Sequence, residues 1–335
     1  MNEVEWMLEA HQAKEGRASR VQTAPAIELR SLSKTYGRGS RAFPAVRSLS
    51  VSVAPGEVFG FLGPNGAGKT TTIKMLAALL LPTSGSVHIY GYDVQRQRSR
   101  AVQQIGAVLE GSRNIYWSLT AVQNLIYFGR LKGLRTAEIK PRGEWLLQEL
   151  GLWDRRNQQV GGFSRGMQQK VAIAAALVTD PPVLLLDEPT IGLDVEAART
   201  VKQWVHRLAK EEGKTIVLTT HQLAMAEELS DRVAVIKDGE IVADLPTGDL
   251  LDHYAENRFE VRIGVPADVV PAESFGNLQI EAFAPEQTSI LLPSEDQHVL
   301  YTVLATAREK SLPIVAVNRI RPSLEEVFVE IVRGK

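Results

Sequence analysis

The chain of 335 residues has no cysteine, which excludes disulfides, thiolate metal sites and thiol nucleophiles and is compatible with a reducing cytoplasm. An excess of either charge is also missing, with 38 basic residues against 39 acidic and a formal net charge of -1. No overall positive field holds such a chain on nucleic acid, and no nucleic-acid partner is expected. Long apolar runs are absent as well. A membrane-spanning helix needs about 18 to 20 mostly apolar residues in succession, and the longest runs here, such as Val171 to Val178 (VAIAAALV), are less than half that. The leader MNEVEWMLEAHQAKEGRASR is acidic first, lacks an apolar core and turns basic only at its end. It does not read as a secretory signal, and a cytoplasmic location is expected. Val4, Met7, Leu8 and His11 lie at helical spacing, so the leader is either a short amphipathic helix over about 2–14 or a frayed terminus before a linker to Pro25.

From Ala26 onward the pattern is that of a folded chain, long enough for about two domains. Strand-like runs AIELRSL, VRSLSVSV and EVFGFLG come first. Strand-length apolar segments (SVHIY, IGAVLE, PVLLLD, KTIVLTTH, DRVAVIKDG) then alternate with helical ones. This predicts an α/β architecture with a mostly parallel sheet, with an antiparallel piece at one edge from the early strands. The helix-like GDLLDHYAEN closes that pattern. Beyond it RFEVRIG, NLQIEAFA, QTSILLP and IVAVNRI read as strands, and DQHVLYTVLATAREK and SLEEVFVEIV as helices, the last capped by Ser323. The expected organisation is an extension over 1–25, an α/β domain over 26–250 with a helical subdomain at about 111–180, and a small α+β domain over 251–335.

The chemistry starts at GFLGPNGAGKTTTIKML. Gly63, Gly68, Lys69 and Thr70 meet the spacing of a phosphate loop between a strand and a helix. Gly63, Asn65, Gly66, Ala67 and Gly68 supply backbone amides, Pro64 completes the loop without an N–H of its own, Lys69 reaches the outer phosphates, Thr70 offers a hydroxyl to magnesium, and Thr71 follows in the first turn. In VLLLDEPT an apolar strand carries Asp187 to its end as a magnesium carboxylate, and Glu188 follows, placed to orient or deprotonate a water. Alone, such an acidic pair is equally a solvated turn. Together with the phosphate loop it describes a nucleotide-hydrolysis site.

One stretch remains, FSRGMQQK, which opens a second helix with a serine and a glycine at its start. The order phosphate loop, FSRGMQQK, VLLLDEPT, GLD, TTH resembles the ATP-binding subunit of ABC transporters over about 27–247. The resemblance implies a P-loop ATPase fold with a helical subdomain, ATP and Mg2+ as cofactors, and two subunits packed head to tail. In that arrangement Ser164 and Gly166 cap the γ-phosphate of the partner's ATP. The resemblance further implies that Tyr36 stacks on adenine, that His221 contacts the γ-phosphate, and that Asp194 links the two sites. Where most members place a glutamine, this chain has Glu110, implied to bind magnesium or water while adding negative charge. The signature departs at Phe163, Arg165 and Met167, where Leu, Gly and Gln are common.

The tail RPSLEEVFVEIV is similar to that of the drug-, antibiotic- and lipid-export group typified by daunorubicin-resistance ATPases. This implies a separate multi-span permease, peripheral attachment at the cytoplasmic face of the membrane, and either a homodimer or pairing with a homologue. The segment from Glu110 to about Leu152 corresponds to the region that receives the permease. The alternative is a soluble mechanical ATPase acting in DNA repair, chromosome organisation or translation. Such proteins usually carry a long coiled coil or two heads in one chain, and this sequence shows neither.

Overall fold

The computed structural model describes residues 24–111, 114–254, 258–276, 278–292 and 297–333. The helix expected over about 2–14 lies outside them. The chain divides into two compact units, one ending at Pro246 and one beginning at Thr247.

The first unit runs β1 (Ile27–Tyr36), β2 (Phe43–Val53), β3 (Val58–Leu62), α1 (Lys69–Leu76), β4 (Ser84–Ile89), β5 (Tyr92–Asp93), α2 (Arg98–Gln103) and β6 (Ile105–Val108). It continues through α3 (Ala121–Leu131), α4 (Thr136–Glu149), α5 (Arg165–Leu177), β7 (Val183–Asp187), α6 (Val195–Lys210), β8 (Thr215–Thr219), α7 (Leu223–Leu229), β9 (Arg232–Lys237) and β10 (Glu240–Pro246). The central sheet has the order β10-β9-β3-β8-β7-β6, parallel except for β10. Every residue of β3, β7 and β8 is buried, which is why these strands read as unbroken apolar runs.

The antiparallel piece expected at one edge is instead a second sheet of its own, ordered β2-β1-β4-β5. Its long first pair alternates apolar with polar residues and carries several register shifts. Such irregularities increase local twist. Ile27, Leu29 and Val51 bury against Phe59, Phe61 and Val217 of the central sheet. Only β10 forms an antiparallel edge on the parallel sheet itself.

The helices from α3 to α6 share one apolar cluster in which Leu125, Ile139, Leu146, Leu147, Val171, Ile173 and Trp204 are buried. Two polar groups fasten α4 to its neighbours. Arg207 of α6 lies 5.5 Å from the ring centroid of Trp145 and 5.6 Å from that of Trp204, and it donates to Glu149. The two indoles meet edge to face at 6.1 Å. Arg142 donates to Asp180 at 2.8 Å, and the buried Lys214 reaches the same carboxylate at 2.6 Å. A fourth cation, Lys132 at the end of α3, donates to the carbonyls of Val102 in the last turn of α2 and of Ile105 at the start of β6, satisfying backbone oxygens where the helix gives way to the strand.

The second unit contains α8 (Thr247–His253), β11 (Arg258–Ile263), β12 (Gln279–Ala284), β13 (Gln287–Leu292), α9 (Gln297–Glu309), β14 (Ile314–Ile320) and α10 (Leu324–Arg333). Its sheet is antiparallel in the order β12-β13-β11-β14. Val303 and Ala307 of α9 bury against Val261, Ile263, Ile290 and Leu292. Ser323 caps α10 as its sequence suggests: its hydroxyl accepts from the Glu326 N–H at 3.3 Å, and its own N–H donates to the Glu326 carboxylate at 2.7 Å.

Burial lowers the pKa of Lys132 from 10.5 to about 8. Between those values the unfolded chain binds more protons at this position than the folded one, so the residue's contribution to stability rises as pH increases through that window. Relative to the non-titrating Lys132→Met variant, the wild type is therefore expected to gain stability from pH 8 to pH 10. Denaturant midpoints measured for both proteins across that range check it; parallel curves would refute it.

Candidate nucleotide site

The phosphate loop occupies the turn between β3 and α1. Gly63 leaves the strand against β9, where a Cβ would lie 2.3 Å from the Ile236 carbonyl oxygen. Gly68 sits at the N-cap of α1 with φ of +110°, and a Cβ there would lie 2.4 Å from the Ala45 carbonyl oxygen. Both positions therefore require glycine. Pro64 is half-buried, Asn65 and Gly66 are exposed at the loop tip, and Ala67 is buried beneath them. No side chain caps α1, and its first turn carries no acidic residue. Its open N–H groups and positive dipole end suit an anion.

Lys69 begins this helix and folds back on the loop, its Nζ donating to the carbonyls of Gly63 at 2.6 Å and Pro64 at 3.1 Å. Burial lowers its pKa, against the opposing charges of Glu188, Asp187 and Glu110. The three carboxylates are thus close enough to act on one ammonium. Thr70 and Thr71 are half-buried in the first turn. The Tyr36 hydroxyl lies 3.5 Å from that of Thr71, which brings the end of β1 beside the loop with the Tyr36 ring 41% exposed.

Asp187 ends β7 and is 2% exposed. Its Oδ1 accepts from the Thr219 hydroxyl, directly across on β8, at 2.5 Å. Its Oδ2 is buried and has no hydrogen-bond partner. An ionised oxygen left this way is costly unless a cation or donor completes it. Glu188 follows in the left-handed region at φ of +52°, its N–H donating to the Thr219 carbonyl at 3.0 Å. This turn swings its carboxylate to within 2.7 Å of His221 Nδ1. His221 stands two residues beyond the end of β8 rather than closing the strand.

Ser164, Gly166 and Asp194 form a separate group. The Ser164 hydroxyl caps α5 by accepting from the Met167 N–H at 3.3 Å. Asp194 caps α6, accepting from the Ala197 N–H at 2.8 Å. A Cβ on Gly166 would lie 2.7 Å from that of Ala197, so the two helix starts pack tightly together. Among the described residues this group shares no hydrogen bond or ion pair with the phosphate loop. Two residues not singled out from the sequence complete the arrangement. Thr219 holds Asp187, and Gln169 of α5 donates to the Pro189 carbonyl just after Glu188 at 2.9 Å, joining the two groups. Both are ordinary polar residues in sequence, one at a strand end and one on a helix, and no pattern marks them. Glu110 is exposed after β6, where Asn114 bonds back to both the N–H and the carbonyl of Leu109.

Residues 46–191 match the ABC transporter family. The daunorubicin/doxorubicin resistance ATP-binding protein DrrA of Streptomyces peucetius is 35% identical over 317 residues, 92% of this chain and 92% of that protein. The chain belongs to the ABC transporter ATP-binding family. The fluoroquinolones export ATP-binding protein MT2762 of Mycobacterium tuberculosis is 36% identical over 306 residues, covering 91% and 92% of the two chains. Among solved structures, a dimeric post-hydrolysis ATP-binding cassette, MJ0796, bound to ADP and Pi superposes with a TM-score of 0.61 at 29% identity, over 66% of this chain and 98% of that one. As an ABC ATP-binding subunit this protein is an ATPase that binds adenine nucleotide.

The residues present also fit a divalent cation. The orphaned Oδ2 of Asp187 is a hard oxygen donor on a carboxylate whose charge acts on the loop's lysine. Among the described residues no group of three or more acidic or histidine side chains is arranged to hold a metal ion by itself, as suits an ion whose remaining ligands come from phosphate and water. Asp187→Asn is therefore expected to lower Mg-ATP turnover roughly hundredfold, while leaving the thermal midpoint unchanged or higher because an unpaired buried charge is removed. A matching loss of stability would mean that Asp187 is structural.

Proposed function

We propose that this chain is the ATP-hydrolysing subunit of an exporter, driving a separate multi-span permease through nucleotide-dependent pairing of two ATPase subunits. The observation that carries this reading is the convergence of Lys69, Asp187, Glu188 and His221 at the ends of β3, β7 and β8, with Ser164 and Gly166 held apart from them on α5. One chain thus offers both an anion cradle and a second helix start that, among the described residues, shares no hydrogen bond or ion pair with it.

In the proposed cycle the outer phosphates replace the loop carbonyls as partners of Lys69. Thr70, Asp187 and Glu110 would hold Mg2+, which when bound neutralises phosphate charge. Glu188 accepts the proton of the attacking water, and His221, already within hydrogen-bond distance of it, holds the carboxylate and approaches the γ-phosphate. Tyr36 stacks on adenine. Ser164 and Gly166 of one subunit close over nucleotide in the other, and Asp194 relays between the sites. ATP thereby favours the paired state and hydrolysis releases it. The carboxylate of Glu110 adds negative charge beside the departing phosphate, so a slow basal rate is expected.

Export as the direction rests on the likeness to the fluoroquinolones export ATP-binding protein, and the likeness to the daunorubicin/doxorubicin resistance protein agrees with it. No helix among the described residues is long and apolar enough to cross a membrane, so the permease is proposed as a separate chain that holds this subunit at the cytoplasmic face. The pair consists of two copies or of this chain with a homologue. The unit beginning at Thr247 is proposed as an accessory module rather than part of the ATPase.

Glu188→Gln is expected to bind Mg-ATP, lose turnover by about 10²–10⁴-fold and accumulate as a paired species in sedimentation. Turnover at the parental rate would remove Glu188 from the role of base. Affinity purification from detergent-solubilised membranes is expected to recover a multi-span protein in near-equal amount; recovery only from the soluble fraction would favour a soluble mechanical ATPase.

A further inference from the structure

Tyr36 has an aromatic neighbour across the ladder. In the antiparallel pairing of β1 with β2 it is registered directly against Phe43. Residues opposed in this way project from the same face of the sheet, with Cα atoms about 4.5–5.5 Å apart. Both side chains are open, Tyr36 at 41% and Phe43 at 60% exposure. Among the described residues the two rings nevertheless make no aromatic contact with each other, so neither covers the open surface of its neighbour.

Close approaches on both strands bring this end of the hairpin to the phosphate loop. On β1 the Tyr36 hydroxyl lies 3.5 Å from that of Thr71 in the first turn of α1. On β2 the pairing skips a residue: Thr35 faces Pro44 and Lys34 faces Val46, which makes Ala45 the extra residue of a bulge. Bulges bend a strand and re-aim its side chains beside binding sites. The Ala45 carbonyl oxygen is the atom that a Cβ on Gly68 would meet at 2.4 Å, and Phe43 stands two residues before it. The loop joining the strands is tight, since a Cβ on Gly37 would lie 2.3 Å from the Arg41 carbonyl oxygen. Lys34 donates to the Leu81 carbonyl at 2.7 Å and lies over the Tyr36 ring, 5.5 Å from its centroid. One face of that ring is thus taken, and a base has the other.

We propose that Phe43 is a second aromatic wall of the base site, so that the purine stacked on Tyr36 also packs against the Phe43 ring. The ligand this suits is a flat heterocycle, because an aromatic ring gains from stacking on another without reading a hydrogen-bond pattern. A bicyclic purine offers more area to a second ring than a pyrimidine does, so the pair favours purine nucleotides. The tight loop holds both rings in register before nucleotide arrives, which lowers the ordering cost of binding. The inference rests on the reading of Tyr36 as the residue that stacks on adenine, and it extends that reading to the facing strand.

Calorimetric titration of the full chain with Mg-ATP, Mg-UTP and inorganic tripolyphosphate tests this. Phe43→Ala is expected to weaken ATP binding ~10-fold, the loss of one base–aromatic stack, to weaken UTP less and to leave tripolyphosphate unchanged. In turnover the loss should appear in KM more than in kcat. Phe43→Trp should keep the affinity for ATP, and Phe43→Leu, apolar but not flat, should not. An unchanged affinity for ATP in Phe43→Ala overturns the proposal. So does a loss no larger for ATP than for UTP or tripolyphosphate, which would make the ring a support of the loop, and so does full affinity in Phe43→Leu. Tyr36→Ala separates this failure from that of the underlying reading. If it binds ATP as the wild type does, the base does not stack on Tyr36 at all; if it loses affinity while Phe43→Ala does not, only the second wall falls. A Phe43→Ala variant that binds ATP normally but no longer recovers the permease assigns the ring to the membrane partner and also refutes the proposal.

Discussion

Asp187 sets the terms for the catalytic unit. A carboxylate held at 2% exposure, with one oxygen given to Thr219 and the other to no protein group, is tolerable only where a cation is part of the design. Placing it there requires a strand buried on both faces, hence the apolar run of β7 and the layers on either side of it. It also requires neighbours that end at the same level. β3, β8 and β7 lie side by side and parallel, so their carboxyl ends deliver the phosphate loop, His221 and the pair Asp187–Glu188 to one edge of the sheet. Ligands of open α/β sheets gather at that edge.

The second helix start is built on different physics. α5 and α6 begin next to each other, each capped by its own side chain, and Gly166 allows a backbone approach that any side chain would prevent. Nothing in this group touches the phosphate loop, yet Gln169 bonds to the loop carrying Glu188. α5 is therefore tied by one side-chain hydrogen bond to the turn that follows Glu188, outside the ladder of the sheet.

Short-range chemistry was the most legible part of the sequence. The phosphate loop, the apolar strand before Asp187 and the serine cap of α5 each announce themselves because their function demands particular residues at fixed spacing. The small α+β unit could be read strand by strand for a similar reason, as alternation and turn residues mark its elements. Long-range placement was not legible. The first strands form a separate sheet because their register shifts and twist allow them to cover the central one, and no local pattern says which of two sheets a strand will join. Thr219, Gln169, Lys132 and Arg207 matter through hydrogen-bond partners from 20 to 58 residues away, and their own sequence neighbourhoods are unremarked. Glu188's positive φ likewise follows from the sheet beside it, since its N–H is claimed by Thr219.

The fastening of α4 to α6 by edge-to-face indoles has a spectroscopic consequence. Trp145 and Trp204 come from different helices and share one guanidinium between their faces. The coupling of their transition dipoles depends on the distance and angle between the two rings, so the near-ultraviolet circular dichroism of the protein is sensitive to how α4 sits on α6. A change in that packing would register without an added label.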